Sequence, residues 1–205
     1  MSFDTLRTWL ARLIAVVLAA GTLSTAIPAA PPAVDAQAAL HGFKMRHWSI
    51  EEGAPGRINA FAQTPDGFLW IGGVDGLVRF DGLSFERIGP PPSSTHRIVV
   101  ARLLAARDGT LWIGLARKKG MLVWRNGRLE DARMPNPSRE VNDIAQGPDG
   151  AIWVTRGGRA ALSLARYANG RWTEFDIASG LPLEPAWNPL FAQDGTLWLT
   201  TENGV

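Results

Sequence analysis

The chain has 205 residues, 46% hydrophobic and 20% charged, and a formal net charge of +2, which leaves no basic excess to read as nucleic-acid binding. It contains no Cys, which excludes disulfides, thiolate metal sites, a cysteine nucleophile and a lipidated cysteine. Nine Trp against a single Tyr, together with 22 Gly, point to a large aromatic recurring at a fixed place between frequent turns.

The first predicted element is an address. Arg7 and Arg12 precede the apolar run Leu13-Ile-Ala-Val-Val-Leu-Ala-Ala-Gly-Thr-Leu23, followed by Pro28, Pro31, Pro32 and then Ala36-Gln37-Ala38. A basic segment, a short apolar run and an A-x-A site make up a secretory signal peptide, here residues 1–38, cleaved after Ala38 or Ala36. The apolar run falls short of the roughly 20 residues that span a bilayer. The other reading is an uncleaved amphipathic or anchoring helix. Without a twin-Arg pair, the segment fits the general secretion route of a bacterium and a periplasmic or secreted product.

The mature part, residues 39–205, opens with Met45-Arg-His-Trp-Ser-Ile50-Glu-Glu-Gly53-Ala-Pro55, which aligns with Trp172-Thr-Glu-Phe-Asp-Ile177-Ala-Ser-Gly180-Leu-Pro182. Since the second segment ends a repeat, residues 45–50 are expected to form a stray outer strand with no inner strands of its own. Four gapless repeats then follow: Asp66-Gly67-Phe-Leu-Trp70-Ile-Gly72, Asp108-Gly109-Thr-Leu-Trp112-Ile-Gly114, Asp149-Gly150-Ala-Ile-Trp153-Val-Thr155 and Asp194-Gly195-Thr-Leu-Trp198-Leu-Thr200. Their Trp residues are 42, 41 and 45 residues apart. An alternating apolar segment precedes each Asp-Gly and a continuous apolar run follows it, the pattern of a hairpin whose second strand is buried on both faces. A third strand, a second turn (Asp81-Gly82, Asn126-Gly127 or Asn169-Gly170) and a fourth strand complete each unit.

Four-stranded antiparallel units at this period are β-propeller blades. The expected fold is all-β: an incomplete arc of about three and a half blades, at about 57–95, 97–138 and 139–182, with a half blade at 186–205. Trp70, Trp112, Trp153 and Trp198 are expected to pack blade against blade, with small residues at 72, 114, 155 and 200 relieving crowding. Closed propellers have four to eight blades, so an open arc is expected to be a fragment of a longer protein or to self-associate through its edges, two copies giving a ring of seven to eight blades.

The stretch from Trp48-Ser-Ile-Glu-Glu-Gly-Ala-Pro through Ile58-Asn-Ala-Phe-Ala-Gln-Thr-Pro-Asp-Gly-Phe-Leu-Trp-Ile-Gly-Gly to Asp81-Gly82 resembles the two-component regulator propeller repeat. The resemblance extends over residues 45–205, with Arg117-Lys118-Lys119-Gly120 in place of an acidic-Gly turn and a longer segment at 156–161. It implies a periplasmic sensor of a small-molecule or glycan ligand. In that family the propeller is followed by a β-sandwich, a transmembrane helix and a histidine kinase or diguanylate cyclase. None of those parts is in this sequence, so output is not assigned to this chain and membrane contact would come only through them.

No catalytic residue, metal site or cofactor is expected. His41, His47 and His96 lack metal-ligand spacing. Asp66, Asp108, Asp149 and Asp194 read as turn residues, because an isolated Asp-Gly lacks the clustered oxygens of a calcium loop. Arg117, Lys118 and Lys119 read as a solvated loop run, the sharper alternative being a contact for an anionic ligand. Trp48, Trp124, Trp172 and Trp187 read as packing rather than sugar-stacking residues. A non-catalytic scaffold and part of a propeller enzyme of lyase or quinoprotein type remain as alternatives.

Overall fold

The computed structural model describes residues 42, 44–91, 98–117, 120–157, 163–181, 186–201 and 204. The expected signal peptide, His41, His96, Lys118 and Lys119 lie outside the described residues. The chain divides into Met1–Arg46 and His47–Val205, and the architecture below is that of the second unit.

Three antiparallel sheets of four strands follow one another, each in simple chain order. The first holds β1 (Ile58–Gln63), β2 (Leu69–Gly73), β3 (Gly76–Phe80) and β4 (Phe85–Ile88). The second holds β5 (Val100–Ala105), β6 (Leu111–Leu115), β7 (Met121–Arg125) and β8 (Arg128–Asp131), and the third β9 (Val141–Gln146), β10 (Ile152–Arg156), β11 (Ser163–Ala168) and β12 (Arg171–Phe175). A two-stranded sheet of β13 (Ala186–Phe191) and β14 (Leu197–Thr201) ends the series. The protein is an all-β arc of propeller blades, as the repeat predicts.

The Asp-Gly hairpins form for a local reason. Gly67, Gly109, Gly150 and Gly195 all have φ between 84° and 91°, a region that L side chains avoid. The Asp beside each Gly accepts a hydrogen bond from the backbone N–H two residues on: Asp108 from Thr110 at 2.9 Å, Asp149 from Ala151 at 3.1 Å and Asp194 from Thr196 at 2.9 Å.

The core lies between blades. One cluster joins Trp70 and Leu77 of the first blade to Val100, Leu111, Ile113, Leu122 and Leu129 of the second. Another joins Trp112, Met121 and Val123 to Val141, Ile152, Val154 and Ala165 of the third. Close approach at these junctions explains the glycines two places after Trp70 and Trp112. A Cβ on Gly72 would overlap the side chain of Val100, and one on Gly114 would lie 2.8 Å from Val141 Cγ1. At the third junction both partners change together, Thr155 and Ala186 standing in the corresponding places, each fully buried. Gly72→Ala is therefore expected to cost about 1–3 kcal/mol in a denaturant titration, and Val100→Ala in the same chain not to restore the loss, because the Val100 Cβ itself lies 2.8 Å from the added methyl.

Two expectations change. Residues 44–49 form no strand, so the stray outer strand at 45–50 is not present. An outer strand needs an inner neighbour to receive its hydrogen bonds, and these residues have none. Instead Trp48 lies edge-on against Phe80 at 5.0 Å and Phe85 at 6.3 Å, covering the first face of the first blade. The fourth strand of the second blade, expected over Leu129-Glu-Asp-Ala-Arg-Met134, ends at Asp131.

Candidate functional site

The motif residues occupy graded environments. Trp70 is 1% exposed, contacts Trp124 of the next blade at 5.2 Å, and donates from Nε1 to Thr64 Oγ1 at 2.9 Å. Trp112, 3% exposed, meets Tyr167 at 5.0 Å and Trp172 at 5.9 Å. Trp153 lies between Phe175 of its own blade and Phe191 of the next, at 5.8 and 5.9 Å. Trp198 departs from the expectation: it is 49% exposed, with Leu190 beside it at 65%, as no described strand packs on that face of β13–β14. Trp124 and Trp172 serve as packing surfaces for the preceding blade, and Trp172 also donates to Ala132 O at 2.9 Å.

The four motif Asp residues sit in separate turns. Asp66 accepts from Thr64 Oγ1 at 2.5 Å, and Asp149 pairs with Arg166 at 2.6 Å. The Arg166 guanidinium, then the Ala151 N–H, hold the Asp149 carboxyl below the usual carboxylate range, and the Thr196 N–H does the same for Asp194. Among the described residues no three His, Cys, Asp or Glu side chains gather as a metal-binding group. His47 and Arg117 are exposed, the latter in the β6–β7 connection with φ 61°.

Polar chemistry concentrates on the inner strands, which lie side by side. Each of β1, β5, β9 and β13 is bulged near its start, and a bulge re-aims its side chain. Asn59 and Asn142 sit at these bulges and donate across the junction, to Val100 O at 2.7 Å and Ala186 O at 3.1 Å. At the middle junction Ala101 takes that place, and Arg102 instead pairs with Asp143 at 3.7 Å. Asn59, Arg102, Asn142, Asp143 and the positive-φ residues Arg57 and Asn188 thus form a polar rim at the end of the arc that carries the β2–β3, β6–β7 and β10–β11 connections. Sequence reasoning passed over them, although the Ile58-Asn59 and Val141-Asn142 pairs at the head of two inner strands were a visible signal.

Arg156, at the end of β10, was also passed over. It is fully buried, donates from Nη1 to Pro135 O at 2.6 Å and pairs with the Glu174 carboxylate, which in turn accepts from Asn136 Nδ2 at 2.8 Å. This network ties the link between the second and third blades to the outer strand β12.

The fold and these junctions define the class: a run of propeller blades whose inner strands carry a polar rim. Residues 52–75 match the family described as Two component regulator propeller, so the first blade carries that repeat. Among solved structures, the chain superposes with a TM-score of 0.61 and 21% identity on the extracellular domain described as that of the one component system BT4673 from B. thetaiotaomicron, covering 75% of this chain and 21% of that one. For the extracellular domain of the hybrid two component system BT3049 from the same organism the TM-score is 0.59 at 15% identity, covering 78% and 23%. Virginiamycin B lyase from Staphylococcus aureus gives a TM-score of 0.55 at 18% identity, covering 73% and 54%. At these identities the likeness is one of fold, and the chain spans about a fifth of the two extracellular-domain chains and about half of the lyase. No curated protein matches it in sequence. Among the described residues no helix is long and apolar enough to cross a membrane.

Proposed function

We propose that the chain is the extracytoplasmic, ligand-sensing propeller region of a signal-transduction receptor of two-component or cyclase type, with the polar rim of the inner strands as its ligand-facing surface. The observation that carries this reading is the regulator-propeller repeat at 52–75. The two sensor-type extracellular domains of like fold support it. The ligand class that suits the rim is a small polar molecule or glycan, because Asn59, Asn142 and the Arg102–Asp143 pair supply both donors and acceptors.

Expression of the full chain in a bacterium tests the reading. The expected result is an exported product whose N-terminus is Gln37 or Ala39. The exported product should be stabilised in a thermal-shift screen by one soluble ligand, and that shift should be lost in Asn59→Ala with Arg102→Ala. An uncleaved product retained in the cytoplasm would overturn the export half. Consumption of virginiamycin B by the purified chain would favour the lyase reading, which the third structural likeness supports.

A further inference from the structure

The Asp-Gly turns lie at the end of the arc opposite the polar rim, and there the junction of the second and third blades holds a cavity of about 530 Å³. Its lining includes Ala106, Arg107, Asp108, Trp112, Ile152 and Tyr167. The volume falls within the range of small-ligand pockets.

Comparison with the first blade shows what this cavity lacks. There, the buried indole N–H of Trp70 donates to Thr64 Oγ1 at 2.9 Å, and Thr64 also reaches Asp66. The residue at the place of Thr64 in the second blade is Ala106, which has no acceptor on its side chain. Trp112 is 3% exposed, and among the described residues its indole N–H has no hydrogen-bond partner. The indole nitrogen itself keeps solvent access, so an acceptor on a ligand entering at the place of the absent hydroxyl would take over a hydrogen bond otherwise made to water.

The flanking charges say what else such a ligand carries. Arg107 reaches over from the second blade, donating from Nε to Gln146 Oε1 at 3.2 Å and from Nη2 to Gly147 O, which fixes its guanidinium at the cavity wall. Its neighbour Asp108 accepts from Thr110 N through Oδ1, and among the described residues its second oxygen makes no further hydrogen bond. The apolar floor is made by Ala106, Ile152 and the ring of Tyr167, 5.0 Å from Trp112. A cation and an anion on successive residues, beside a donor and an apolar floor, are complementary to a zwitterion with a side chain.

We propose that this cavity is a binding site for a free α-amino acid. Its carboxylate takes the Trp112 N–H and faces Arg107, its ammonium group faces Asp108, and its side chain lies on Tyr167 and Ile152. The site is separate from the polar rim and does not depend on the sensor reading.

The test follows the Trp112 indole resonance in a ¹H–¹⁵N spectrum of the exported chain, identified by its loss in Trp112→Phe. Each of the common L-amino acids is titrated to millimolar concentration, with its N-acetyl and decarboxylated forms as controls. At least one amino acid is expected to move the resonance to saturation, and its two controls to bind at least about tenfold more weakly, 1.4 kcal/mol by the usual conversion. Ala106→Thr, which restores the hydroxyl found in the first blade, is expected to abolish the shift without lowering the melting temperature. Asp108→Asn keeps the turn acceptor and is expected to weaken binding by a similar factor. A resonance that no amino acid moves, as a cavity filled by water alone would give, overturns the proposal. So does undiminished binding in both variants.

Discussion

Trp70→Ala is expected to lower the unfolding free energy by about 3–5 kcal/mol, while the same change at Trp198 costs roughly 1 kcal/mol or less. Both residues hold the same place in the repeat, so most of the difference comes from what the next blade supplies. Trp70 is 1% exposed and enclosed by Trp124, Leu111 and Leu129, and its removal leaves a cavity that two sheets share. It also strips an acceptor pairing from Thr64, which is itself buried. Trp198 is 49% exposed and meets solvent on one side, so truncation empties no enclosed space. Urea titrations of the two variants beside the parent chain would read the contrast. Equal losses would mean that the motif Trp is held by its own blade and not by its neighbour.

Arg156→Ala is expected to cost about 2–4 kcal/mol. Removing the fully buried guanidinium empties enclosed space and takes one partner from Glu174, which keeps Asn136 and is 31% exposed. Here the loss also unpairs Pro135 O, which lies in the link between two blades. Changing both partners together, Arg156→Met with Glu174→Met, is expected to cost clearly less than Arg156→Ala alone, since no charge then remains at the site. If the double variant is the less stable of the two, the pair contributes more than its burial costs and the argument fails.

Much of the fold was legible from residues 58–201 because hairpins are local: Asp-Gly, a continuous apolar run and a second turn specify three strands within about 30 residues. What could not be read were features that depend on a neighbour. Residues 45–50 have the pattern of an outer strand, yet a strand is made by its partner, and Trp48 settles on Phe80 and Phe85 instead. Arg156 reads as a solvent-facing strand end until Glu174 and Pro135 close over it. The rim residues Asn59, Arg102 and Asp143 come from three different inner strands and share no motif, so only the register brings them together.

The polar ties across the junctions have one more consequence. Asn59 to Val100, Trp172 to Ala132 and Asn142 to Ala186 each bridge only 40 to 44 residues of chain. Long-range order here is thus assembled from short steps, each linking one blade to its neighbour, which is the arrangement of a one-dimensional array. Such an array folds by propagation and loosens from its ends. Amide exchange in the native state should accordingly be slowest in β6 and β7, which have a blade on either side, and fastest in β13 and β14. A weakened middle junction would split the unfolding transition in two.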